Sequence, residues 1–383
     1  MMNRLNGSKK MCAKNLWLAS LLLFTTWGSA LGQSDALKDG PTVILVIGEP
    51  GNSEYSNRFA EAASDWKAAC QTGQINFVEV GLSPQDELNP DFLTLSNALT
   101  RISAQETTNS SVVLHPLWLV LHGHGTFDDK VANFNLRGPD ISSAQLKTWL
   151  NQAAKKQPTR QQVVIVASAA SSPFLASLKA ENRVVITATK TPTEDSYVRF
   201  GEFFAKSIAA PTADLDNGGG TSLLEATLAA AKKVEGFYAE EGRLQNEEAL
   251  IDDNSDGKGT PAAWFRGVRA IQSPKEGAPD GFRSHQLHLF PSPEEQQLTA
   301  TQRSTRDALE KKLYALRMKK KSMPEAAYFT QLEQILLQIG EIYHPSEPAN
   351  ETPSEPSTEP STEPSIEPSI EPSTEPFTET PAK

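Results

Sequence analysis

The sequence predicts an α/β fold, a mainly parallel sheet with helices on both faces. Two observations carry this. Between residues 41 and 210, short apolar runs alternate with segments of helical periodicity, the order in which strand–helix–strand crossovers are written. The apolar runs are also continuous rather than alternating, as strands covered on both faces require.

Each element follows in turn. Thr42–Ile47 reads as a strand that closes at Gly48, Pro50 and Gly51, and residues 53–70 set Phe59, Ala62, Trp66 and Ala69 at helical spacing. Asn76–Val80 is a second strand and Phe92–Ser103 a second helix; Leu117–Leu121 is a third strand and Ile141–Ala154 a third helix. Val163–Val166 and Arg183–Thr187 are further strands, and Tyr197–Ala209 closes the unit as a helix. Ser142-Ser143 and Ser171-Ser172 read as helix caps. Beyond Pro211, two Asp/Gly-rich loops flank a helix from Leu223 to Glu241. Residues 294–343 place Leu309, Leu313 and Leu316, then Leu332, Ile335, Leu336 and Ile339, at helical spacing around a break at Met323-Pro324, which predicts a helical hairpin. Lys319–Lys321 reads as a solvated helix end.

The chain has 383 residues, with 47 acids against 36 bases and a formal charge of −11. That balance argues against a nucleic-acid partner, which needs concentrated Lys and Arg. Two cysteines, Cys12 and Cys70, exclude a disulfide-stapled mini-protein; Cys70 reads as a buried core thiol. Basic residues Arg4 to Lys14 precede the apolar run Leu16–Phe24 and the small residues Gly28, Ala30 and Gly32, so residues 1–32 read as an export signal cleaved near Ala30 or Gly32. An uncleaved anchor is the alternative. The run is short for a membrane span and no other segment approaches one, so the mature protein is expected to be exported, periplasmic or secreted, with no span after cleavage. At the other end, Glu-Pro-Ser-Thr-type repeats place nine glutamates against one lysine in residues 345–383, an acidic stalk expected to be disordered. The expected organisation is therefore 1–32 signal, 40–210 α/β domain, 211–265 cation-loop region, 266–293 linker, 294–344 helical hairpin and 345–383 tail.

Chemistry in such a fold belongs at the carboxyl ends of the strands. The third strand runs into Leu121-His-Gly-His-Gly-Thr126 and the fourth into Ala167-Ser-Ala-Ala-Ser-Ser172. His124 precedes Ser168 by 44 residues, near the separation of about 50 between histidine and nucleophile in caspase-type peptidases. With Asn135-Leu-Arg-Gly-Pro-Asp140 and Val164-Ile-Val-Ala-Ser168, these motifs make residues 40–210 resemble the caspase/legumain (clan CD) peptidases, in particular their bacterial-type relatives. The resemblance implies a caspase-like sheet, His124 as the catalytic histidine, the Gly125 amide as oxyanion donor, and Ser168 where the family has its cysteine. That last departure matters. A neighbouring imidazolium can turn a thiol of pKa about 8.5 into a thiolate, whereas a serine hydroxyl needs close contact with a base. No group that would orient His124 is identifiable in the sequence. His122 reads as a second site histidine or a strand-end loop residue, and Arg137 as a pocket or a surface arginine.

Asp214-Leu-Asp-Asn-Gly-Gly-Gly-Thr-Ser-Leu-Leu-Glu225 matches a twelve-residue, EF-hand-like calcium loop. Asp214 and Asp216 stand at positions 1 and 3, the Gly220 carbonyl at 7, Ser222 at 9 and Glu225 at 12; Gly218 removes the ligand at 5. A capping box between Ser222 and Glu225 is a compatible reading. Asp252, Asn254 and Asp256 begin a second such loop, but its position 12 is Ala263. Oxygen donors favour Ca²⁺, and the missing ligands point to roughly 10⁻⁴–10⁻³ M affinity. Three functions follow as expectations. The first is a degenerate peptidase homologue that binds peptides or proteins, the second an active hydrolase using His124 and Ser168, and the third a surface scaffold working through hairpin and tail.

Overall fold

The computed structural model describes residues 40–84, 88–104 and 114–345. The signal segment, Cys12 and residues 346–383 of the tail lie outside the described residues.

The apolar runs form the strands they predict. β1 (Thr42–Ile47) leads through α1 (Ser53–Thr72) to β2 (Asn76–Val80), then through α2 (Asp91–Ser103) to β3 (Leu117–His122). Three short strands follow, β4 (Gly125–Phe127), β5 (Ala132–Phe134) and β6 (Ile141–Ser142), pairing antiparallel in a small separate sheet. Strands of two or three residues carry too little periodicity to be read from sequence. The last of them displaces the predicted third helix by two residues, to α3 (Ser143–Lys156). β7 (Gln162–Ala167), α4 (Pro173–Leu178), β8 (Arg183–Thr187) and α5 (Phe200–Ser207) complete the alternation. α6 (Leu223–Glu240) then leads to β9 (Leu250–Asp252) and β10 (Thr260–Pro261).

The main sheet runs in the order β10-β9-β8-β7-β3-β1-β2. Its five strands from β2 to β8 are parallel, while β9 and β10 add antiparallel at one edge. Residues 211–265, expected to carry the cation loops, therefore also extend this sheet and supply α6. Strand residues alternate between two cores. Val43, Leu45, Trp118, Val120, Val163 and Ile165 face α1, α5 and α6; Ile44, Val46, Leu119, Leu121, Val164 and Val166 face α2, α3 and α4. Each fully buried aliphatic or aromatic side chain in these layers contributes about 1.5–3 kcal/mol.

Caps set the helix ends. Asn52 accepts from the Tyr55 amide and Ser142 from the Gln145 amide, each supplying one of the partners that a first turn lacks. The second serine pair does not act this way. Ser172 makes no side-chain cap, and Ser171 Oγ instead accepts the Ala188 and Thr189 amides, tying the turn after β7 to the end of β8. α5 starts three residues later than the periodicity suggests. The buried Glu247 carboxylate accepts the Arg199 and Phe200 amides at 2.9–3.0 Å and thereby caps the helix from a distant segment.

Past β10, a ribbon of β11 (Phe265–Arg266) and β12 (Arg269–Ala270) precedes α7 (Phe282–Gln286) and α8 (Pro293–Gln297). α9 (Ala300–Met318) and α10 (Glu325–Tyr343) follow, with the break at Met323-Pro324 where the sequence sets it. The chain divides into two compact units at Asp307/Ala308. In the second unit the Lys320 ammonium lies 5.3 Å from the Tyr328 ring, and Phe329, Leu336 and Leu337 of α10 are exposed. Among the described residues, no helix is long and apolar enough to cross a membrane.

Candidate functional site

At the carboxyl ends of the strands, the two histidines face aromatic rings. His122 continues the β3 phase of Trp118 and Val120, so it points toward α1 and α5, with the Phe59 ring 5.1 Å away edge-on. It is 2% exposed and its Nε2 has no partner among the described residues. Burial, aided by the nearby His124, pushes its pKa down to about 4, so the ring is neutral. The glycine at 201 is what admits the ring: a Cβ there would lie 2.2 Å from His122 Nδ1.

His124 sits in the turn between β3 and β4, half-buried among Tyr55 at 4.7 Å, Phe59 at 5.4 Å and Tyr197 at 5.7 Å. Burial lowers its pKa, opposed by a hydrogen bond from its ring to the Pro50 carbonyl and by the Glu49 charge. No side-chain motif reveals this backbone carbonyl beside the ring. Tyr197, whose hydroxyl donates to Glu202 at 2.5 Å, completes the enclosure.

Ser168 is fully buried, and its hydroxyl donates to the Ala169 carbonyl at 3.3 Å rather than to a histidine. Gly125 lies directly against it. A Cβ at Gly125 would stand 2.7 Å from Ser168 Oγ and 2.5 Å from the Ala169 carbonyl oxygen. Close approach of the backbone thus requires glycine at this position. A hydroxyl nucleophile needs a base within about 2.6–3.2 Å; the hydrogen bond of Ser168 goes to a backbone carbonyl. Arg137 forks onto Asp91, with Nε–Oδ2 at 2.7 Å and Nη2–Oδ1 at 2.8 Å, and also donates to the Ser83 carbonyl, so it straps loops together. Cys70 is buried in the core, its thiol pushed up to about 12 by burial.

The two acidic loops resolve differently. In the first, Asp214 accepts the Gly218 and Gly219 amides, and Asp216 Oδ1 accepts the Gly218 amide at 3.0 Å. Ser222 and Glu225 form the capping box of α6, while Glu225 Oε1 reaches back to the Leu215 and Asp216 amides. Asp216 Oδ2 meets His285 Nε2 of α7 at 2.9 Å. Donor atoms of Asp216, Glu225 and His285 all lie within 4.8 Å of one another; Asp214 is not among them. Gly220 packs its Cα side toward the Phe290 carbonyl and the His288 ring.

In the second loop the side chains fold onto their own backbone. Asp252 accepts the Ser255 and Gly257 amides, Asn254 the Asp256 amide, and Asp256 the Lys258 amide. Burial raises the Asp252 pKa to about 6. Its neighbours Asp253 and Asp280, which the sequence reading did not single out, are buried as well. Asp280 accepts the Asp253 and Asn254 amides, and Asp253 accepts the Gly281 and Ser284 amides and the Ser284 hydroxyl. This second loop thereby clamps α7 in place.

No protein-family model and no curated protein sequence matches the chain. Among solved structures the chain is similar to the Drosophila initiator caspase Dronc, at 13% sequence identity and a TM-score of 0.38, over 68% of this chain and 95% of that chain.

Proposed function

We propose that the chain is an exported caspase/legumain-type homologue whose peptidase centre is degenerate and which works as a peptide- or protein-binding module. One observation carries the reading. Ser168, at the position of the family's cysteine, lies sealed beneath Gly125 with a carbonyl as its hydrogen-bond partner. His124, enclosed by Tyr55, Phe59 and Tyr197, keeps the family's place without a nucleophile to activate. A divalent cation at the first loop belongs to the same proposal, since Asp216 and Glu225 converge there, with calcium as the ion its spacing suggests.

The test is cleavage of a diverse peptide library by the mature protein, with calcium and with chelator, beside Ser168→Ala and Ser168→Cys. No turnover by the wild type or by Ser168→Ala supports the proposal. Turnover by the wild type that Ser168→Ala abolishes overturns it in favour of a serine-using hydrolase. Peptidase activity in Ser168→Cys alone would show that only the nucleophile has been lost.

A scaffold role is favoured by a separate observation, the exposed Phe329, Leu336 and Leu337 on α10. Deleting residues 291–383 abolishes partner capture if that face makes the contact.

A further inference from the structure

We infer that the exposed face of α10 pairs antiparallel with the same face of α10 in a second copy of this chain. The inference rests on the scaffold reading of that face and names its occupant.

The helix carries two stripes. Tyr328 is buried and Leu332, Ile335, Ile339 and Ile342 are half-buried, so this stripe is the one shielded within the chain. One residue farther on at each step run Phe329, Glu333, Leu336, Gly340 and Tyr343, about 100° round the helix. There Phe329, Leu336 and the adjoining Leu337 are 48%, 47% and 67% exposed. Large apolar side chains gathered on one side of a helix and left in water mark an interaction surface.

Two further features identify what covers it. Gly340 lies inside the helix, and a Cβ built there would meet no other segment within 4 Å among the described residues. Glycine is a poorer helix former than alanine, and its compensating use is close approach by another group. No such group comes from the described residues, so a second chain is the fitting source. The second stripe is also complementary to its own reverse. Setting Phe329 against Gly340 of the second copy sets Gly340 against that copy's Phe329 by the same two-fold. The register then places Ala326 across from Tyr343 and Glu333 across from Leu336. A ring lies over a small residue at both ends, the alternation that interdigitated helix faces need. The charge of α10 disfavours the other covering, an anionic lipid surface, because the helix holds Glu325, Glu333 and Glu341 and no base.

The experiment measures the mass of the untagged mature chain by sedimentation equilibrium, from micromolar to sub-millimolar concentration. It compares the wild type, Phe329→Ala, Leu336→Glu, Gly340→Phe and the exchange Phe329→Ala/Gly340→Phe. All three positions are exposed, and circular dichroism reports helix content separately. The expected result is a wild-type dimer whose dissociation constant rises roughly 10-fold or more in each single variant at unchanged helicity. The exchange, which again sets a ring against a small residue, recovers the dimer. A monomeric wild type overturns the inference, and the scaffold reading survives that result if residues 291–383 still capture a different protein. A dimer indifferent to Leu336→Glu overturns it too, because the contact then lies on another face. Single variants that weaken the dimer with no recovery in the exchange overturn the antiparallel pairing.

Discussion

The strand-end turns around His124 and Ser168 and the loop around Asp216 and Glu225 both begin as motif matches, and the structure treats them oppositely. At the strand ends, side chains of catalytic type are absorbed into packing: Ser168 against Gly125, His122 against Phe59 and Gly201, His124 within three rings. At the loop, two acids of the motif are joined by a histidine from α7, and two of the three donors face solvent. The difference teaches that residue type sets which chemistry is available, while convergence and access set whether it is used.

Substitutions sharpen or break this contrast. The largest effect is expected at Gly125→Ala, which drives a methyl into Ser168 Oγ and the Ala169 carbonyl; backbone cannot retreat as a side chain can, so about 3 kcal/mol of stability should be lost in denaturant unfolding. A loss under about 1 kcal/mol would mean the strand-end turns are loosely packed and the contrast is wrong.

Next comes pH. Burial raises Glu247 to about 7 and Asp252 to about 6, so the folded state favours their neutral forms. Stability from both is complete near pH 4 and is lost as pH rises through 6 to 7, by on the order of 2 kcal/mol for Glu247. His122 acts in the other sense, its contribution present above pH 6.5 and lost as pH falls toward 4. Glu247→Gln should flatten the decline between pH 5 and 8 in thermal melts; an unchanged slope would remove Glu247 as its source.

Ser222→Ala deletes half of the α6 capping box and should cost about 1 kcal/mol by the same unfolding measurement. The smallest effect is expected at His285→Ala without metal, at most about 0.5 kcal/mol, since a half-exposed ion pair is screened by water. A loss of 2 kcal/mol or more would recast His285 as a structural latch and erase the distinction between the two regions.

Legibility in the sequence follows how local each feature is. Thr42–Ile47 and Gln162–Ala167 are readable because a strand covered on both faces is apolar at every position. The α6 cap is readable because Ser222 and Glu225 lie three residues apart. β4 to β6 are too short to show a period, and β9 and β10 show nothing that marks them for the edge of a sheet. The Pro50 carbonyl beside His124 carries no side-chain signature at all.

By itself the sequence determined the α/β class, the strand–helix order, the acidic balance and the residue types at both candidate sites, because periodicity, charge and short-range spacing are properties of the chain. Only the tertiary structure decided that Ser168 is sealed and that Asp216 and Glu225 meet His285 rather than Asp214. Those outcomes depend on contacts between segments far apart in the chain, which packing brings together and which no local pattern records.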